Sequence, residues 1–198
     1  RVDLIGLESR KIAYLTQQST LDSSFPVVIH DFVAMGLWAE FGAFRGFSRK
    51  ARQRVEAAIG AVGLAGLESR PIGQLSGGQL QRARFARVLL QDSPLVLLDE
   101  PYGAIDANTV TDLAALVRLW RREGRTVISV LHDFEHVRNE YPETLLLARE
   151  IVAYGATAEV LAEENLARAR HKTEMRAALP DVAVCHVDTD PRAEHHHS

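Results

Sequence analysis

The chain has 198 residues, 46% hydrophobic and 25% charged, with a formal net charge of −3. That balance suits one globular domain with a sizeable core and excludes collagen-like, disulfide-stapled and wholly disordered chains. A negative net charge offers no basic footprint for nucleic acid. The single Cys excludes an internal disulfide and fits a reducing compartment. Aliphatic runs such as Leu95–Leu98 are far too short to span a bilayer.

The chain opens on Arg1-Val2-Asp3, with neither a starting Met nor a signal peptide, so a start inside a larger domain is expected. Residues 11–16 alternate as a strand, and Gln17-Gln18-Ser19-Thr20 breaks the pattern. Residues 28–36 read as a short helix and 42–46 as a loop. Ser48 is placed to cap a helix whose apolar stripe is Ala51, Val55, Ala58, Ile59 and Val62. Residues 28–70 thus form a mostly helical insertion. A helix over 79–91 puts Leu80, Ala83, Ala86 and Leu90 on one side and ends at Asp92-Ser93-Pro94. Leu95–Leu98 then runs apolar without alternation, as a strand buried on both faces does. A helix over 109–122 stops at Gly124, and Thr126–Leu131 is a second uniformly apolar strand. After a short helix, Thr144–Ala148 and Ile151–Tyr154 flank Arg149-Glu150 as a closing hairpin, and 171–198 loses all periodicity. Strand and helix alternating in this way predict a parallel α/β sheet.

Two constellations carry chemistry. Leu75-Ser76-Gly77-Gly78-Gln79 stands immediately before a helix: Ser76 can cap it, and the glycines let backbone N–H groups approach a ligand. With the helix dipole they make an anion site suited to phosphate. Alone, such a turn more often just starts a helix. Downstream, however, the apolar strand ends in Asp99-Glu100-Pro101, where ligands of parallel α/β sheets bind. Strand alternation points neighbouring side chains different ways, so Asp99 is placed to hold Mg²⁺ through water while Glu100 polarises an attacking water.

Together these motifs resemble the ATP-binding subunit of ABC transporters. Leu75–Gln79 is similar to that family's signature, and the strand with Asp99-Glu100 to its Walker B segment and catalytic glutamate. Gly103-Ala104-Ile105-Asp106 resembles the D-loop, and Val130-Leu131-His132-Asp133 the switch-histidine motif. Ile12–Gln17 resembles the Q-loop, with Gln17 rather than Gln18 as the functional glutamine. The departures, Leu131 and the Gly-Ala-Ile-Asp of the D-loop, remove no reacting group.

The resemblance implies a P-loop NTPase (RecA-like) core with a helical subdomain. Expected boundaries are 1–17 for a remnant of the N-terminal β region, 18–74 for the helical subdomain, 75–165 for the signature helix and ATPase core, and 166–198 for a disordered tail. It implies ATP and Mg²⁺ as ligands. Glu100, His132 and Gln17 would be catalytic, and Asp99 and Gln17 would handle Mg²⁺. Ser76, Gly77, Gly78, Gln79 and Asp106 would meet ATP in trans, from a second copy in a head-to-tail dimer. A transmembrane permease would dock near 18–40, with a substrate-binding receptor acting indirectly and the motor sitting on the cytoplasmic face of the membrane. No Gly-Lys dipeptide occurs, so the phosphate loop is expected ahead of Arg1 and residues 1–198 alone are expected to be inactive.

Ser23–Gly36 is similar to a segment of zinc, manganese and iron-chelate importers, as is Arg70-Pro71-Ile72-Gly73-Gln74. Phe25 and Val33 are otherwise core contacts of any such helical subdomain. A soluble ABC ATPase of DNA repair or translation would share the motifs. The short, heptad-free stretch from Gln17 to Leu75 and the single cassette argue against both types. A regulator lacking the phosphate loop and acting only in trans is the remaining alternative. His171, Cys185, His186 and His195–His197 fit metal buffering, a tag remnant or a chance run; Cys185-His186 has no recognised ligand spacing.

Overall fold

The computed structural model describes residues 12–16, 26–41, 47–103 and 105–177. Two compact units divide the chain, one ending at His136 and the other beginning at Val137. Within the first unit the helical insertion packs on the signature helix and shares its core.

In the first unit, β1 (Ile12–Leu15), β2 (Leu95–Asp99) and β3 (Thr126–Val130) form a parallel sheet in the order β1-β2-β3. The register pairs Ile12 with Leu95 and Leu95 with Thr126. Five helices of this unit are α1 (Ile29–Ala34), α2 (Trp38–Phe41), α3 (Arg49–Ala61), α4 (Gly77–Leu90) and α5 (Ala107–Arg122), and α6 (Phe134–Glu140) starts within it. The expected helix over 28–36 is interrupted: a 3-10 turn over Met35–Leu37 follows α1. Ser48 caps α3, its Oγ accepting from the Ala51 N–H at 3.1 Å. The apolar stripe of α3 is buried as its spacing predicts. In α5, Leu113, Ala114, Val117 and Trp120 face the core, and Gly124 ends the segment at a φ of +83° that favours glycine.

The two faces of the sheet differ in burial within this chain. Val96 and Leu98 are buried, but Leu95 and Leu97 are only half-buried, and Ile128 and Val130 are more than half exposed. Among the described helices, α4 lies against β1 and α5 against β3 on the face that holds Ala13, Leu15, Val96 and Leu98.

In the second unit, β4 (Glu143–Leu147) and β5 (Ile151–Ala156) form the expected antiparallel hairpin, Leu145 opposite Tyr154. α7 (Thr157–Val160) and α8 (Glu163–Ala177) follow. The disordered tail expected from 166 is corrected here, since α8 continues through Ala177. Leu166 is buried, Arg168 donates to the Val152 carbonyl at 3.1 Å, and Lys172 pairs with Glu150. Cys185, His186 and His195–His197 lie outside the described residues. No described helix is long and apolar enough to cross a membrane.

Candidate functional site

The N-terminus of α4 is built by a reciprocal cap. Ser76 Oγ accepts from the Gln79 N–H at 3.2 Å, and the Ser76 N–H donates to Gln79 Oε1 at 3.1 Å. The Gln79 side chain is thus committed to the turn, while Ser76 keeps its own hydroxyl proton to donate. Ser76 and Gly77 are exposed, so the first N–H groups of a 14-residue helix are open to an anion. A Cβ at Gly78 would stand 3.3 Å from Thr109 Oγ1 and 3.4 Å from Asp106 Oδ2. Glycine there leaves room for α5 beside the capped end.

At the end of β2 the chain turns sharply. Glu100 has φ +45°, a left-handed conformation uncommon for a side chain of its size. Its N–H still donates to the Val130 carbonyl at 3.1 Å, and its own carbonyl accepts from the Gly103 N–H at 3.2 Å. This turn aims Glu100 at β3, where its Oε1 is hydrogen-bonded to Nε2 of His132. His132 is 77% exposed and Glu100 25%, so the pair lies at an open rim rather than in the core. Asp133 caps α6, its Oδ1 accepting from the N–H groups of Glu135 at 2.9 Å and His136 at 3.1 Å. Asp99 points elsewhere and accepts from the Tyr14 hydroxyl at 3.4 Å.

Asp106 caps α5. Its Oδ1 accepts from the Thr109 N–H at 2.9 Å and its Oδ2 from the Thr109 hydroxyl at 2.7 Å. Those bonds, the backbone one foremost, hold its carboxyl below the usual aspartate range. Arg82 donates to the same Thr109 hydroxyl at 3.3 Å, to Asp112 at 2.8 Å and to the Val62 carbonyl at 3.0 Å.

Residues 4–103 match the family described as ABC transporter. The chain belongs to the ABC transporter family. It is 37% identical over 159 residues to the manganese transport system ATP-binding protein MntB of Halalkalibacterium halodurans, spanning 80% of this chain and 64% of that relative. It is 35% identical over 162 residues to the zinc transport system ATP-binding protein TroB of Treponema pallidum, spanning 82% and 61%. The chain therefore spans under two thirds of the length of these relatives. Among solved structures it is similar to an inward-facing ABC transporter of the metal-chelate type, with a TM-score of 0.74 and 29% identity over 81% of this chain and 64% of that one. An ATP-binding cassette in its ADP conformation, at 16% identity and a TM-score of 0.68, shares the fold.

Within this ABC chain the structure brings Glu100 and His132 together, and sets Asp106 beside Gly78 of the same chain. Gln17 lies outside the described residues. Among the described residues no group of three or more His, Cys, Asp or Glu could hold a metal unaided. Asp99 and Glu100 do offer hard carboxylate oxygens, which suits an ion that keeps waters and takes its other ligands from phosphate. Tyr14, Gln81 and Arg82 escape sequence reasoning, because no spacing links them to partners so far along the chain.

Proposed function

We propose that the complete protein is the ATP-hydrolysing subunit of an importer that takes up manganese, zinc or a metal chelate through a separate membrane permease. The observation that carries the hydrolytic part is the Glu100–His132 pair at the carboxyl end of β2. The cargo is supported by relatives named for manganese and zinc transport.

ATP is the substrate, and Asp99, with Gln17, would hold a Mg²⁺ that neutralises phosphate charge. Glu100 orients a water and takes its proton as the water's oxygen attacks the γ-phosphorus and the bond to the ADP oxygen breaks. His132, at the neighbouring strand end, holds Glu100 by its Oε1 and stands where loss of the γ-phosphate would be felt. A second copy of the subunit, packed head to tail, supplies Ser76, Gly77 and Gly78 to the γ-phosphate through a hydroxyl and backbone N–H groups, with its Asp106 alongside. The permease docks on the helical insertion near 18–40, where Met35 and Trp38 present exposed apolar surface. The motor then sits at the cytoplasmic face of the membrane, with a substrate receptor on the far side.

The test is uptake. Disrupting the gene is expected to lower cellular manganese or zinc, restored by the native gene but not by one carrying Glu100→Gln. Unchanged metal content with loss of sugar or amino-acid uptake would overturn the cargo.

A further inference from the structure

We infer that Gln81 is a positioning residue that holds the turn carrying Glu100, tying the signature helix to the base of its own chain; this rests on the reading of Glu100 as that base. Gln81 lies on α4 one turn beyond Ser76–Gly78, on the core side, and is only 6% exposed. Both ends of its amide are engaged. Nε2 donates to the Pro101 carbonyl at 2.7 Å, a buried bond, and Oε1 accepts from Arg84 Nη1 at 3.2 Å.

Pro101 is the residue after Glu100. A left-handed non-glycine residue persists only where its surroundings over-determine it. Besides the His132 bond to its side chain, three hydrogen bonds hold the backbone of this turn. Val130 on β3 takes its N–H, Gly103 closes the turn onto its carbonyl, and Gln81 fixes the next carbonyl from α4. The first two lie in the sheet and the turn themselves. Gln81 alone of the three belongs to the signature helix. Remove its N–H and the Pro101 carbonyl is left buried without that donor, so the turn can relax away from +45° and swing Glu100 off its water.

The linkage has a functional direction. In a head-to-tail dimer the capped end of α4 meets the nucleotide of the other copy, whereas Glu100 acts on the nucleotide of its own. Gln81 therefore joins the two ATP sites through one side chain: a shift of α4 on contact with one nucleotide is transmitted to the base serving the other.

The test uses the complete protein with Gln81→Met, which keeps the length of the side chain and removes the donor. Without nucleotide, hydrogen exchange at the Glu100 and Gly103 amides is expected to quicken about tenfold, with α3 amides unchanged. In turnover, kcat should fall roughly 10- to 100-fold with KM for ATP held within about twofold, as for a displaced catalytic group. Gln81→His, which returns a ring N–H, should recover part of kcat. Gln81→Glu, which places an oxygen where the donor stood, carries the same expectation as the Met variant should that one not fold. Unchanged exchange at Glu100 and Gly103, or kcat within about twofold of native, overturns the linkage. Quickened exchange beside a Glu100→Gln variant that still turns over normally would instead leave the tether standing and remove the assignment of Glu100.

Discussion

A Cβ placed on Gly36 would stand 2.4 Å from the Arg87 carbonyl oxygen, so the 3-10 turn after α1 touches α4 backbone to backbone. The Arg87 guanidinium lies over the Phe32 ring at 4.9 Å and closes the same contact. Gly36→Ala must push two main chains apart. It is expected to cost about 1–3 kcal/mol, the scale of overpacking a closed core. Denaturant titration of both forms reads the difference, and equal midpoints would show that the contact is soft.

Glu100→Gln keeps the size of the side chain and removes its basicity. In the complete protein, hydrolysis is expected to slow roughly 10²- to 10⁴-fold, with ATP affinity retained. Single-turnover hydrolysis beside nucleotide binding separates the two effects. Near-normal turnover would show that another group activates the water.

Because Glu100 and His132 are bonded to each other, their losses should not add. The double variant Glu100→Gln with His132→Ala is expected to be little slower than the slower single one. Strictly multiplicative rates would show two independent roles.

The cap on α5 carries a pH signature. The folded carboxyl of Asp106 titrates below its unfolded value, so its contribution is complete above the ordinary aspartate pKa of about 3.9 and is lost as pH falls through the folded value. Thermal melts of the native protein and Asp106→Ala from pH 7 down to pH 2 should show a gap that closes only at the acid end. A gap constant over that range would mean that the carboxylate charge is irrelevant to the cap.

Residues 1–198 contain no Gly-Lys phosphate-loop motif, and the capped end of α4 offers a helix N-terminus in place of a phosphate cradle. Calorimetric titration of this chain with Mg-ATP is expected to give no tight binding. Micromolar affinity, on the order of −8 kcal/mol, would refute that reading of the site.

The motifs were legible because each sits where an element ends, and element ends carry local signals: Ser76 before its helix, Asp99-Glu100 after four aliphatics. The stripe of α3 was legible for the same reason, as spacing along one helix is a property of one segment. What stayed hidden depends on distant chain. An apolar run such as Leu95–Leu98 says that a strand favours burial, not which element covers which of its faces. The extent of α8 was hidden because its sequence is polar; its ties run to Val152 on β5 and to Glu150 in the turn before it. The Gln81–Pro101 and Tyr14–Asp99 bonds join residues whose spacing follows no period.

The pairing of Ile12 with Leu95 sets a clock on synthesis. β1 leaves the ribosome ahead of β2, its partner in this pairing, which is made only after the helical insertion and α4. At about 5–20 residues per second that is a wait of roughly 4–17 s. Local helices such as α3 and α4 form in far less time, within about a microsecond. The β1–β2 pairing, a contact of long sequence separation, therefore waits on synthesis far longer than local helix formation takes.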